Sequence, residues 1–140
     1  MIRKKIAFPI SYGLTRTGLP IIPVIIGKNV IHLIVDTGAT HCLIDASIPK
    51  QLGYHAVNLN RKNSIMGIEG NPDGGKVYEI SFQFENQKFT QEFITKDMSS
   101  AMFGFEINHG LRVHGILGND FLVKNKWIID YDNLKIYENE

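Results

Sequence analysis

One acidic residue stands where a carboxylate could be held accurately enough for proton transfer. A nearly continuous apolar run over residues 31–35 ends at Asp36, and Thr37 and Gly38 follow directly. Apolar runs bounded by turn residues are typical of buried strands, so Asp36 is expected to emerge from a rigid element. Gly38 permits a tight turn that brings a backbone N–H close to the carboxylate, and the Thr37 hydroxyl can bond to neighbouring backbone. A strand ending in an ordinary Asx turn is the structural alternative.

The segments that would position this acid are mostly short and β-like. Residues 20–36 and residues 76–95 each predict two strands joined by a tight turn. Residues 4–12 are typical of an edge strand, because Pro9 has no N–H to give to a central ladder. Residues 113–137 predict a short strand, a brief helix and two closing strands. The chain is therefore expected to be dominated by β-structure.

The remaining segments predict a hairpin, a helix and a loop. Four glycines and a proline in residues 67–75, between two β-like arms, predict a hairpin with a mobile tip. Residues 46–54 predict a helix that is capped by Ser47 and ended by Gly53. Residues 97–110 show no clear period and predict an irregular loop.

Composition is ordinary for a soluble globular protein, with 44% hydrophobic and 21% charged residues. A length of 140 residues predicts one domain, residues 1–140. The formal net charge of +1 and the lack of a long apolar segment give no reason to expect nucleic acid or a membrane as a partner. The lone cysteine, Cys42, favours a reducing compartment, so a cytoplasmic protein is expected. A signal peptide is the alternative for the basic start, but the apolar part is short and contains Pro9.

Three segments occur in an informative order: HLIVDTGATHCLID, the glycine-rich IMGIEGNPDGG, and the late HGILGNDFLVKNKWIIDYDNLKIY. Together they resemble the retropepsin-like aspartic proteases, the single-domain relatives of pepsin, over about residues 20–137. The resemblance implies an all-β fold, a closed β-barrel-like domain with one or two short helices and a flap hairpin. No cofactor is expected.

The resemblance also assigns roles to residues. Asp36 is implied as the catalytic aspartate, in a loop completed by Thr37, Gly38 and Ala39. The hairpin over residues 65–77 is implied as a flap that closes over substrate. Substrate-binding residues are expected in the cleft and the flap: Ile34, Met66, Gly67, Ile68 and Ile116.

A second acid is needed for this chemistry, and the chain offers one Asp-Thr-Gly triplet. Peptide hydrolysis by this route uses two carboxylates that share a water, one ionised and one protonated. Adjacent like charges separate their two pKa values, an effect for which aspartic proteases are the reference case. A two-fold dimer would bring the two Asp36 residues together at its axis. The sequence therefore predicts a homodimeric endopeptidase that binds an extended peptide or protein substrate by strand addition.

Other acids have structural interpretations. Asp120 lies two residues after Gly118, and we expect it to cap the following helix rather than to serve as an internal partner of Asp36. Asp45 precedes the predicted helix and is also expected to be structural. Asp130 and Asp132 flank the final turn, where aspartate is common.

The remaining polar candidates do not indicate a metal or a second nucleophile. The five histidines never form a spacing such as HExxH, so no metal site is expected. Cys42 follows His41 directly, but catalytic pairs are assembled in space, so a small buried thiol is the preferred interpretation. Trp127 is expected in the core.

A peptide-binding or regulatory module that cleaves nothing is the alternative function. Thr40 stands where Ser or Asp is usual in the family, and Glu69, Asn71 and Asp73 make the flap tip polar. Both departures bear on substrate preference. The intact Asp-Thr-Gly triplet favours the enzyme, because a binding module has no need of a carboxylate in that loop.

Overall fold

The computed structural model describes residues 4–62 and 75–139. These residues form ten strands: β1 Lys4–Pro9, β2 Ile21–Ile26, β3 Asn29–Val35, β4 Leu43–Asp45, β5 Ala56–Lys62, β6 Lys76–Phe84, β7 Gln87–Lys96, β8 Gly115–Leu117, β9 Trp127–Asp130 and β10 Lys135–Asn139. They also form helices α1 Ser11–Thr17, α2 Ser99–His109 and α3 Asn119–Lys124, and a 3-10 helix over Pro49–His55.

Six of the strands close into a barrel. Their order is β2-β3-β8-β4-β7-β6, and β6 pairs again with β2 where Ile25 lies opposite Gln83. β5 also pairs with β6, on the same edge as β2. The pairings of β3 with β8 and of β4 with β7 are parallel, and the others are antiparallel. This closed barrel confirms the predicted fold class.

β3 is the element that leads to Asp36. It forms a hairpin with β2, and Gly27 in the turn takes a positive φ of 60°. Along β3 the side chains alternate between the core and a half-buried outer face, with Ile31, Leu33 and Val35 in the core. Because the side-chain period of a strand is two residues, Asp36 continues the outer face.

A second sheet of three antiparallel strands, in the order β1-β10-β9, packs beside the barrel. β1 lies at its edge, as Pro9 predicts, but the strand ends at Pro9 and α1 begins at Ser11. Trp127 on β9 lies in the core, as predicted, with its ring centroid 5.0 Å from that of Phe121. The Trp127 ring also lies 5.4 Å, between centroids, from the Phe84 ring of β6, and this contact joins the sheet to the barrel.

The prediction of an irregular loop over residues 97–110 is wrong, because Ser99–His109 form α2. The helix ends at Gly110, which has φ of 68° and donates its N–H to the Glu106 carbonyl. α2 buries none of its residues, and its apolar side chains are not gathered on one face. A helix without an apolar face gives no periodic signal in the sequence.

The predicted helix over residues 46–54 is a 3-10 helix that runs two residues further than Gly53. Pro49 lies in its first turn, but Ser47 does not cap it. The Ser47 hydroxyl donates to the carboxylate of Asp45 instead. Gly53 takes φ of 58° and kinks the helix rather than ending it.

β5 and β6, which flank most of the segment predicted as the flap hairpin, are antiparallel neighbours, with Lys62 opposite Lys76. The segment that joins them lies outside the described residues, and so do the predictions for Met66, Gly67 and Ile68.

Candidate active site

Asp36 is half-buried and sits directly after β3. Its backbone N–H donates to the Leu117 carbonyl at 3.0 Å, which ties the start of the loop to β8. Its Oδ1 accepts the Gly38 N–H at 2.8 Å, and its carbonyl accepts the Ala39 N–H at 3.2 Å. The predicted turn is therefore present, and it orients the carboxylate. Oδ2 accepts no hydrogen bond from any described residue.

Two of the predicted cleft residues lie side by side on the strand face that leads to Asp36. Ile34 of β3 is paired with Ile116 of β8, and both are half-buried. Paired residues of neighbouring strands point to the same side of a sheet. Ile34, Ile116 and Asp36 thus share one half-buried face.

Asn119, the first residue of α3, binds the loop that follows Asp36 through two hydrogen bonds. Asn119 donates its backbone N–H to the Ala39 carbonyl at 2.8 Å and its side-chain Nδ2–H to the Thr37 carbonyl at 2.6 Å. Thr37 and Gly38 are themselves exposed. A Cβ on Gly118 would lie 2.7 Å from the His41 carbonyl oxygen and 2.9 Å from that of Ala39, so only glycine permits this contact.

Asp120 does not cap α3, contrary to the sequence prediction, because Gly118 occupies the cap position. One of its oxygens, Oδ1, accepts the Phe121 N–H at 2.8 Å and the Cys42 thiol at 3.1 Å. The other oxygen, Oδ2, accepts the Cys42 N–H at 3.2 Å and a Gln91 side-chain N–H at 3.3 Å. Asp120 therefore fixes the far end of the Asp36 loop to α3 and β7.

Cys42 is fully buried, as predicted. Burial, and secondarily the neighbouring Asp120 carboxylate, raises the pKa of its thiol. The thiol consequently stays protonated and donates, which makes it a packing group rather than a nucleophile.

Asp45 and Asp130 are structural, in agreement with the sequence analysis. Asp45 accepts the Met98 N–H at 2.8 Å and the Ser47 N–H at 3.1 Å. Asp130 accepts the N–H groups of Asp132 and Asn133, both at 3.0 Å, in the turn before β10.

Two histidines meet on the face that carries Ile34 and Ile116. The backbone N–H of His32 donates to His114 Nδ1 at 3.2 Å, and the backbone N–H of His114 donates to the His32 carbonyl at 2.9 Å. Burial lowers the pKa of both imidazoles, and for His114 the nearby His32 and Arg112 lower it further. In residues 4–62 and 75–139 no three His, Cys, Asp or Glu side chains are grouped as a metal site would require.

The sequence analysis missed the Asn119 side chain and the contacts of Asp120. Asn119 lies 82 positions from Thr37, and Asp120 lies 78 positions from Cys42. A single sequence carries no signal for such side-chain contacts. Ile116-Leu117-Gly118, just before these residues, is part of the resemblance and indicated only that the segment lies near the site. No helix in the described part of the chain is long and apolar enough to cross a membrane.

A closed barrel with one aspartate on a Thr-Gly turn, supported by a crossing Ile-Leu-Gly strand, defines the acid-protease class of fold. A sequence model described as aspartyl protease matches residues 22–121. The chain belongs to this aspartyl protease family.

Solved structures show the same fold. The retroviral protease-like domain of Ddi1 from Leishmania major has a TM-score of 0.57 at 13% identity, covering 85% of this chain and 89% of that one. A retropepsin-like aspartic protease from Rickettsia conorii has a TM-score of 0.55 at 15% identity, covering 100% of this chain and 94% of that one. At these identities the likeness concerns the fold. No curated protein matches the chain in sequence.

Proposed function

We propose that the protein is an aspartic endopeptidase in which Asp36 is the catalytic residue. The observation that carries this proposal is that the Asp36 carboxylate is fixed in place. The Gly38 N–H donates to one of its oxygens at 2.8 Å, and hydrogen bonds connect the loop to β8 and α3. Preorganised donors of this kind keep a reacting group in its productive geometry. Membership of the aspartyl protease family supports the same role.

The proposed active form is a homodimer with one Asp36 from each subunit at the axis. The Asp-Thr-Gly triplet occurs once in the chain, and Asp120 is engaged by donors from Cys42, Gln91 and Phe121. Asp120 is therefore not available as a second catalytic acid within the same chain. Thr37 and Gly38 are exposed in the single chain, so a second subunit can reach the loop.

In this dimer the two carboxylates share one proton, because two negative charges so close together repel each other, as in aspartic proteases generally. The ionised Asp36 takes a proton from the bridging water, and the water oxygen attacks the scissile carbonyl carbon. The protonated Asp36 donates its proton to the carbonyl oxygen. Collapse of the resulting diol, with proton transfer to the amine, breaks the C–N bond.

Substrate would lie extended across the half-buried face of β3 and β8. Ile34 and Ile116 supply an apolar floor there. Met66, Gly67 and Ile68 remain proposed contacts from the flap. An extended peptide presents its backbone for strand addition and its alternate side chains for pockets, which suits a peptide or protein substrate.

The proposed unit is one domain, residues 1–140, that works without a cofactor. A cytoplasmic location is part of the proposal, because Cys42 is a free buried thiol.

Cleavage of an unstructured peptide library from about pH 3 to about pH 8, with and without a statine-type transition-state mimic, tests the proposal. We expect cleavage on the acid side of neutral that the mimic inhibits and that Asp36→Asn abolishes. The introduced amide keeps a carbonyl oxygen for the Gly38 N–H, so the variant should fold.

An unchanged rate in Asp36→Asn would overturn the catalytic assignment. No cleavage at any pH by a verified dimer would leave the non-catalytic peptide-binding or regulatory module as the function.

A further inference from the structure

We propose that Asn119 is a positioning residue for Asp36 and that it acts through the peptide bond between Thr37 and Gly38. Its kinetic consequence rests on the proposed function, whereas its effect on the loop does not.

One planar peptide unit connects Asn119 to the Asp36 carboxylate. The Thr37 carbonyl and the Gly38 N–H belong to the same peptide bond, so they point in opposite directions and turn together. The carbonyl accepts from Asn119 Nδ2 at 2.6 Å, and the N–H donates to Asp36 Oδ1 at 2.8 Å. The Asn119 side chain therefore sets the direction of the donor that orients the carboxylate.

Asn119 is well placed to hold this peptide. It opens α3, whose Phe121 and Leu122 are buried in the core. Its own backbone N–H holds the Ala39 carbonyl at 2.8 Å, so one residue fixes the carbonyls on both sides of Gly38. Thr37 is exposed, and in the described part of the chain its backbone carbonyl has no side-chain donor other than Asn119.

Removing the side-chain amide should free the peptide plane while α3 and the core stay in place. The Asp36 carboxylate would then sample orientations that miss the bridging water. A displacement of about 1 Å costs on the order of a hundredfold in rate. We therefore expect Asn119→Ala to lower kcat by roughly tenfold to a hundredfold, with KM within about threefold of the parent.

Asn119→Asp is the sharper variant, because it keeps the shape of the side chain and exchanges the donor for an acceptor. Once protonated, the introduced acid can donate to the Thr37 carbonyl. Its kcat relative to that of the parent should therefore recover as pH falls through about 4. A ratio that stays constant with pH would count against the donor role.

Gln51→Ala is the matched control. Gln51 donates an exposed side-chain N–H to the Ser47 carbonyl at 3.2 Å, the same kind of bond at a place remote in sequence from Asp36. Its removal should leave kcat unchanged and should shift the thermal midpoint about as much as Asn119→Ala does.

Amide hydrogen exchange of Gly38 decides the proposal without any activity measurement. We expect faster Gly38 exchange in Asn119→Ala and parent-like exchange in Gln51→Ala, with protection of the barrel strands unchanged in both. If the parent cleaves nothing, this result still supports the positioning role while the proposed function fails. Parent-like Gly38 exchange in Asn119→Ala would overturn the positioning role. Loss of protection throughout the barrel would also overturn it, by showing a general structural role.

Discussion

Replacement of Asp120 by asparagine tests the contacts that anchor the Asp36 loop. The carboxylate receives four donors: the Phe121 N–H and the Cys42 thiol on Oδ1, and the Cys42 N–H and a Gln91 N–H on Oδ2. Asparagine keeps one acceptor oxygen and turns the other into a donor. The two possible orientations of the amide can be compared directly.

If the introduced NH2 replaces Oδ1, it faces the Phe121 N–H. The thiol hydrogen of Cys42 can rotate away, so that its sulfur accepts from the NH2. If it replaces Oδ2, it faces the Cys42 N–H, although Gln91 can flip and offer its Oε1, which is buried without a partner among the described residues. In the first orientation the Phe121 N–H keeps only the Gly118 carbonyl as an acceptor, at 3.1 Å, and in the second the Cys42 N–H loses its acceptor. Each orientation therefore removes a hydrogen bond to a charged acceptor. The expected loss is about 1–3 kcal/mol in the free energy of unfolding.

Chemical denaturation measures this loss, and the proteins are compared at one fixed concentration because the proposed dimer would make stability depend on concentration. At this chain length a loss of about 1 kcal/mol lowers the thermal midpoint by roughly 3–5 °C. Asp132→Asn is the control, since Asp132 is exposed in the final turn and should change stability by less than about 0.5 kcal/mol. An Asp120→Asn protein as stable as that control would refute the four-donor account.

Three further outcomes follow from the described contacts. Cys42 should react with a thiol reagent in the folded protein far more slowly than in the unfolded chain, because it is buried and its thiol has a raised pKa; equal rates would contradict its burial. The pKa values of His32 and His114 are lowered from 6.5, so the unfolded state binds more protons below that pH and stability should fall as the solution is acidified. His114→Asn, which keeps an acceptor for the His32 N–H, should flatten this dependence in denaturation curves, and an unchanged slope would exclude the pair as its source. Cleavage should follow a bell-shaped pH profile on the acid side of neutral, because only the singly protonated pair of Asp36 residues is active, and full activity at about pH 9 would count against the dyad.

The barrel could be predicted because its signals are local. The apolar run before Asp36, the turn at Gly27 and the alternating residues of β6 and β7 each follow from the neighbouring sequence. Their order, together with Ile116-Leu117-Gly118, identified the fold class. The structure then pairs the expected cleft residues Ile34 and Ile116 on the face that leads to Asp36.

The errors arose where local signals were absent or competed. α2 gives no helical period because its apolar side chains are not gathered on one face, and Ser47 bonds to Asp45 instead of capping the 3-10 helix. Asp120 lies in the first turn of α3, close to the position of a capping residue, but its carboxylate bonds to Cys42, 78 positions away. Contacts between side chains so distant in sequence depend on the closed barrel, which local patterns do not describe.

Two subunits are proposed to share one active site, and a subunit-mixing experiment can show whether they do. The parent is mixed with Asp36→Asn at constant total protein under conditions where subunits exchange, and the cleavage rate is followed against the fraction of parent chains. A hybrid dimer has one carboxylate and one amide, so it lacks the ionised and protonated pair and should be inactive. Random pairing then makes the rate fall as the square of the parent fraction. A straight-line fall would show that each chain carries a complete site and would contradict the shared pair of Asp36 residues.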